Sequence, residues 1–289
     1  MTGSSRPEDA VARAHAQDGR QVRLEWGPTG GAAISADADI VVVVDVLSFT
    51  TTLTIATARG TRVHPFAWKD DRAAAAYARE RDAVVAVGRF EARALGGSDG
   101  RGGRGGSGGA LPSLSPAQLL DAVPVPRLVL PSPNGSAICA ALRAARPGLT
   151  VAGASLRNRS AVARWLAPQV AAGARVALVP AGERWPDGSL RPAVEDLWGA
   201  GAVLDALGSE TPSLGTEARH ARAAYRAVAG TESGTGTGTG TGTLEAALLD
   251  CASGRELVGV GFRADVVVAA ALDADDVVPV LGADGFAPA

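Results

Sequence analysis

The sequence predicts an α/β fold of three layers, α/β/α, around a mostly parallel or mixed sheet. Three observations carry that expectation. Short β-branched apolar runs recur along the chain, beginning with "DIVVVVDV" at residues 39–46. Each run is followed by a stretch with helical spacing, bounded by capping residues or glycine. The runs also lack polar alternation, which is the pattern of strands buried on both faces between helical layers.

After the first strand, "FTTTLTIATARG" has helical spacing and ends at Gly60, a helix stop. Residues 61–66 ("TRVHPF") read as the second strand. "DDRAAAAYARERD" reads as a helix with Asp70 and Asp71 at its positive end. Residues 83–88 ("AVVAVG") make a third strand. "SPAQLLDA" is then a short helix, residues 127–132 a strand and residues 134–145 a helix. "LTVAGAS" and residues 174–180 are further strands, with the helix "NRSAVARWLAPQVAAG" between them. "AVEDLWGAGAVLDALG", "TEARHARAAYRAV" and most of "LEAALLDCASGRELVGVG" are helical. Residues 264–272 fit a buried helix or a strand equally, and "VVPVL" reads as an edge strand.

Two segments interrupt this alternation. "GGSDGRGGRGGSGG" (96–109) and "GTESGTGTGTGTGT" (230–243) cannot bury apolar surface and read as flexible insertions. Residues 1–20 are polar and read as a loose arm, leaving 21–289 as a single domain. The arm lacks the apolar centre of a secretory signal, and no apolar run is long enough to cross a bilayer. The 46 % apolar content suffices for a core. A net charge of −2 without a basic block argues against nucleic acid or anionic lipid as a partner. Two cysteines make no disulfide framework, so a reducing, cytoplasmic setting is expected.

In sheets of this kind ligands bind beyond the carboxyl ends of the strands. Asp45 ends the first strand there, and Ser48, Thr50, Thr51 and Thr52 follow it. A carboxylate can hold a metal ion; hydroxyls and N–H groups at a helix start can meet anionic oxygens or simply cap the helix. The turn Asn134–Gly135–Ser136 follows another strand and offers N–H groups at a helix start. Asn158 holds the equivalent place after the next strand. Glu195 and Asp196 lie side by side near a helix start, and Glu183 and Asp265 are further acidic candidates. Mg²⁺ takes one or two protein carboxylates, so Asp45 with Glu195 or Asp196 would suffice. His64 and His220 share no ligand spacing, and Cys139 sits in an apolar helix. Neither a P-loop, a C-x5-R loop nor a G-x-S-x-G elbow occurs, and "GVGFRAD" falls short of a dinucleotide fingerprint.

Taken in order, "VVDVLSFTTT", "ATARG", "SPNGS", "AGASLRNRSAVARWL", "VEDLWGAGA" and "SGRELVGVGFRADVVVAA" resemble the 2-phosphosulfolactate phosphatase (ComB-like) family. The likeness runs from about residue 40 to 281. It implies an α/β fold and Mg²⁺-dependent hydrolysis of 2-phospho-3-sulfolactate to 3-sulfolactate and phosphate. It also implies a small anionic phosphorylated substrate, with a homodimer compatible. Three departures stand out. The family pattern Asp-Val-Leu-Arg-Ala-Thr-Thr-Thr carries Ser48 and Phe49 here, removing a guanidinium. Its Gly-Glu-Arg becomes "VGRFEAR", in which Arg89 matches. Its Gly-Asn-Ser-Pro becomes "SLSP", keeping Ser115 and Pro116. The expectation is therefore a phosphatase in which Asp45 and Glu195 or Asp196 hold Mg²⁺. Arg89, Asn134, Gly135 and Ser136 would hold the anion, with Ser48, Thr50, Thr51 and Asn158 lining the site and Arg157 beside it. The alternatives are a non-catalytic small-anion-binding protein on the same fold, favoured by the missing guanidinium, and a nucleotide-dependent enzyme on a doubly wound sheet.

Overall fold

The structure is a computed structural model that describes residues 7–67, 70–96, 112–208, 213–230 and 244–289. Apart from Gly96 and Gly230, the two Gly-rich inserts lie outside the described residues. The chain opens with α1 (Pro7–His15), β1 (Val22–Leu24) and α2 (Gly27–Ser35), then β2 (Ile40–Val44) and α3 (Phe49–Ala58). Next come β3 (Arg62–Ala67), α4 (Asp71–Arg79), β4 (Val84–Val85) and α5 (Arg89–Gly96). The middle holds α6 (Pro116–Asp121), β5 (Arg127–Ser132), α7 (Gly135–Ala145), β6 (Thr150–Ala154) and α8 (Arg159–Ala171). It is followed by β7 (Val176–Pro180), β8 (Glu183–Arg184), β9 (Leu190–Arg191), α9 (Val194–Ala206) and α10 (Thr216–Ala229). Three helices, α11 (Leu244–Asp250), α12 (Ala252–Gly259) and α13 (Arg263–Ala270), precede the hairpin β10 (Pro279–Gly282) and β11 (Gly285–Pro288).

Nine strands form one sheet in the order β1-β7-β2-β6-β10-β11-β3-β5-β4. The pairs β1/β7, β7/β2 and β2/β6 are parallel, as are β3/β5 and β5/β4. The β10–β11 hairpin joins these two parallel halves by antiparallel pairing to β6 and to β3. Strand β2 shows why a continuous valine run suits this position. Val42 and Val44 pack into one core with Leu178, Leu166 and Val203, while Val41 and Val43 pack into the other with Leu53, Ile138 and Val179. Both faces are thus covered by helices, as a parallel sheet requires.

Two strand expectations need correction, and an open one is decided. "VVPVL" is not an edge strand: β10 lies inside the sheet, between β6 and β11. Pro279 lacks an N–H, but it sits at the first position of β10, and Val280 alone pairs with β6, through Ala152. Of residues 83–88 only Val84–Val85 pair as a strand, at the edge beside β5. Of residues 264–272, left open between helix and strand, 264–270 belong to the helix α13, with Asp265 in its first turn. Within the segment expected to be a loose arm, residues 7–15 are helical with no buried residue, and Arg23 donates to Ala16 O just beyond. No helix among the described residues is long and apolar enough to cross a membrane.

Candidate active site

The hydroxyl-rich stretch after β2 builds a corner. Thr50 Oγ1 accepts from Asp45 N at 2.8 Å and donates to Asp45 O at 2.7 Å. Thr51 Oγ1 donates to Val46 O at 2.6 Å, and Thr52 Oγ1 to Leu114 O at 3.1 Å. All three threonines are fully buried. Their hydroxyls therefore shape the corner from beneath rather than line a surface that meets anionic oxygens. Ser48 is half-buried and its side chain makes no cap bond to α3.

The corner holds Asp45 where three strand ends meet. Phe49 N donates to Asp45 Oδ1 at 3.2 Å, and Gly135 N, at the start of α7 after β5, donates to Asp45 Oδ2 at 3.0 Å. Gly135 is required by space: a Cβ there would stand 2.7 Å from Asp45 Oδ2 and 2.6 Å from Phe49 Cδ1. From the start of α9, Asp196 Oδ1 accepts from Val46 N at 2.7 Å and Oδ2 from Gly182 N at 2.9 Å. Asp196 thereby joins the residue after Asp45 to the loop after β7. That loop carries Glu183, whose Oε2 accepts from Asn134 Nδ2 at 2.8 Å. Glu195, next to Asp196, is buried and receives the Cys251 thiol at 3.5 Å.

The site is electrostatically frustrated. Burial, and then the negative charge of Glu183, pushes the Asp45 carboxyl up to about 7, against the pull of the two backbone N–H groups. Burial, and then Asp45 and Glu195, raises Asp196 well above the carboxylate range. Burial also raises Glu183, whose hydrogen bond from Asn134 opposes it. The Cys251 thiol goes up to about 12 through burial and the nearby Glu195. Among the described residues none of Asp45, Glu183, Glu195 and Asp196 is in an ion pair. Nor do three His, Cys, Asp or Glu side chains close into a metal cage. Hard oxygen donors, buried and without a cationic neighbour in contact, are nonetheless the donor type that Mg²⁺ takes, and it needs only one or two of them.

The remaining predicted residues separate from this cluster. Arg89 donates through Nε to Asp265 Oδ2 at 2.9 Å and through Nη2 to Leu47 O at 2.7 Å. It braces the loop after Asp45 from behind. Asp265 also accepts from Ser115 Oγ and from Ala117 N. This network explains why Arg89, Ser115 and Asp265 occur together. Ser136 Oγ donates to Leu130 O and accepts from Phe66 N, stitching α7 to β5 and β3. Asn158 is fully buried; its Oδ1 accepts from Ser155 N and its Nδ2 donates to Gly153 O and Val277 O. Its amide is engaged on both sides by backbone. Arg157 pairs with Asp275 at 2.7 Å.

A cavity of about 250 Å³ opens beside the cluster, sharing Asn134 and Glu183 with it. Its other walls include Trp26, Pro28, Ile138, Arg184 and Leu190. Sequence reading singled out none of these five as site residues. One signal was available, the Trp185-Pro-Asp-Gly-Ser189 stretch, whose Pro-Asp-Gly is a turn sequence. It closes the β8–β9 hairpin, with Trp185 N bonded to Ser189 O at 2.9 Å. Leu190 seats that hairpin on two glycines at positive φ: a Cβ at Gly182 would stand 2.8 Å from Leu190 Cδ1, and one at Gly27 3.1 Å.

A model of the 2-phosphosulpholactate phosphatase family matches residues 32–284. The matched span contains all four carboxylates and the Asn134–Gly135 turn, and it begins after Trp26 and Pro28. No curated protein matches the chain.

Proposed function

The chain belongs to the 2-phosphosulpholactate phosphatase family, and from that premise we propose that it is a Mg²⁺-dependent phosphatase acting on a small phosphorylated acid. The family reaction is 2-phospho-3-sulfolactate plus water to 3-sulfolactate plus phosphate. The observation that carries this reading is the meeting of Asp45, Asp196 and the Gly135 N–H at the ends of β2, β5 and β7.

Asp45 and Asp196, with Glu195 behind them, would hold Mg²⁺, which when bound supplies charge neutralisation of phosphoryl oxygens and an activated water. The chain's own groups do the rest. The Phe49 and Gly135 N–H groups fix both oxygens of Asp45, so the carboxylate is positioned before any ligand arrives. The helix starts of α3 and α7 turn their first N–H groups and positive dipole ends toward this corner, which favours an anion there. Asn134 holds Glu183 at the rim of the cavity. Arg89 keeps the 45–49 loop in place through Leu47 O. Two buried free thiols, Cys139 and Cys251, are compatible with a reducing, cytoplasmic setting.

The test is phosphate release from a panel of phosphomonoesters, with Mg²⁺ and with chelator. Turnover that stops with chelator supports the enzyme. The second reading, a small-anion binder without catalysis, is favoured by one observation: Arg89 and Arg157 are both engaged by aspartates. Absence of turnover on every ester from a folded chain, with retained phosphate binding, would establish that reading instead.

A further inference from the structure

The cavity under the β8–β9 hairpin has an uneven chemistry. Trp26, Pro28, Ile138 and Leu190 give it apolar walls. Arg184 is its single lining guanidinium. It donates to Gly188 O at 3.2 Å and Pro133 O at 3.5 Å, both uncharged carbonyls, and among the described residues it has no carboxylate partner. Arg89 and Arg157, the cations expected from sequence to serve a substrate, are engaged by Asp265 and Asp275. Arg191, on the neighbouring strand, bonds Ser253 Oγ at 3.0 Å and lies over the Trp185 ring. Glu183 stands in the wall of the same cavity.

These groups set the charge a substrate body can carry. One guanidinium without a carboxylate partner among the described residues matches one carboxylate. A second strong anion in this space would face Glu183 and four apolar side chains, with only the uncharged Thr29, Asn134 and Ser189 to meet it and no second cation. A compact body with both a carboxylate and a sulfonate is therefore poorly matched. A body with one carboxylate and an apolar group fits the walls. Trp26 and Pro28 precede residue 32, where the family match begins, and the other walls lie within it.

We propose that this cavity is the subsite for the substrate's carbon skeleton, and that it selects phosphorylated 2-hydroxy acids with an apolar side group, the carboxylate held by Arg184. The proposal rests on the phosphatase reading only for the phosphate: the acid's recognition is a property of the cavity itself. Asn134 and Glu183 belong to both the cavity and the carboxylate cluster, so the phosphate-bearing carbon would sit at that junction.

Binding without turnover tests it. The full chain is titrated calorimetrically with 3-phenyllactate and with 3-sulfolactate, in the presence of inorganic phosphate. The expected result is that 3-phenyllactate binds at least about tenfold tighter. Arg184→Gln should weaken its binding about tenfold or more, the loss expected for a charge-assisted hydrogen bond, and Arg184→Lys should restore part of it. Arg184 is exposed on the hairpin, so an unchanged melting curve will show that the variants remain folded. Tighter binding of 3-sulfolactate, no binding of either acid, or an Arg184→Gln variant that binds 3-phenyllactate as the parent does overturns the proposal. Binding as expected in a chain that releases no phosphate from any ester leaves the subsite standing and removes the phosphatase. Chelator-sensitive turnover with no preference for the apolar acid does the reverse.

Discussion

Asp45 accepts one backbone hydrogen bond on each carboxylate oxygen and has no cation in contact; the negative charge of Glu183 outweighs the more distant Arg89. Its replacement tests the function most directly. Asp45→Asn should reduce Mg²⁺-dependent phosphate release by more than about 100-fold, beyond the loss seen when an outer-sphere partner of a metal site is removed. Steady-state assays with and without chelator measure it. Asp196 has a second, structural role, because both of its oxygens receive N–H groups from different loops. Asp196→Asn can accept only one of them, so one buried donor is orphaned at a cost of about 1–3 kcal/mol. Urea unfolding without Mg²⁺ reads that cost. His64 on β3 carries a pH dependence of its own. It is buried, its Nε2 has no partner among the described residues, and burial lowers its pKa below the ordinary value. The folded state therefore resists a proton that the unfolded chain accepts. Its contribution to stability is present above pH 6.5 and is lost as pH falls from there through the folded pKa. His64→Leu should flatten that part of the profile, so the drop in melting temperature between pH 8 and pH 5.5 should be smaller than in the parent chain.

The elements differ in how far they could be read from sequence. The strand β2 and helices α4, α7, α9 and α10 were legible because apolar periodicity and caps are local; Asp70, for example, accepts from Ala73 N at the start of α4. β1 was missed because three residues are too few to show a period. The position of β10 inside the sheet is not legible locally, because a short apolar run does not say which strands will pair beside it. The close approach of α9 and α10 was also hidden. Gly201 lies where a Cβ would stand 2.1 Å from the Ala221 carbonyl oxygen, a backbone contact that cannot move aside cheaply. Gly201→Ala should therefore destabilise the chain by about 1–3 kcal/mol, the range for overpacking. Since Gly201 lies five residues beyond Asp196 and faces α10, the KM for a phosphomonoester should stay the same; unfolding curves and kinetics on one preparation would separate the two effects.

The whole molecule is two parallel half-sheets closed into one by the β10–β11 hairpin. Across that sheet the start of α7 still reaches the end of β2: Gly135 N meets the Asp45 carboxylate although the two residues are 90 positions apart. Mg²⁺ bound between Asp45 and Asp196 would relieve repulsion in the folded chain and bind the unfolded chain weakly. A Mg²⁺ concentration about 100-fold above its dissociation constant should then stabilise the fold by about 2.7 kcal/mol. The melting temperature should rise by several degrees with Mg²⁺ and fall back with chelator, and Asp45→Asn should abolish the rise. By itself the sequence determined the alternation of strands and helices, a sheet buried on both faces, and a carboxylate at the end of its most apolar strand. These follow from periodicity, β-branching and capping, which act over a few residues. Only the tertiary structure decided that Asp196 would bridge two loops, that Arg89 would brace the corner through Asp265, and that Trp26 and Arg184 would wall a common cavity. Those outcomes depend on which distant groups satisfy each buried donor and charge, and that is settled by packing across the sheet.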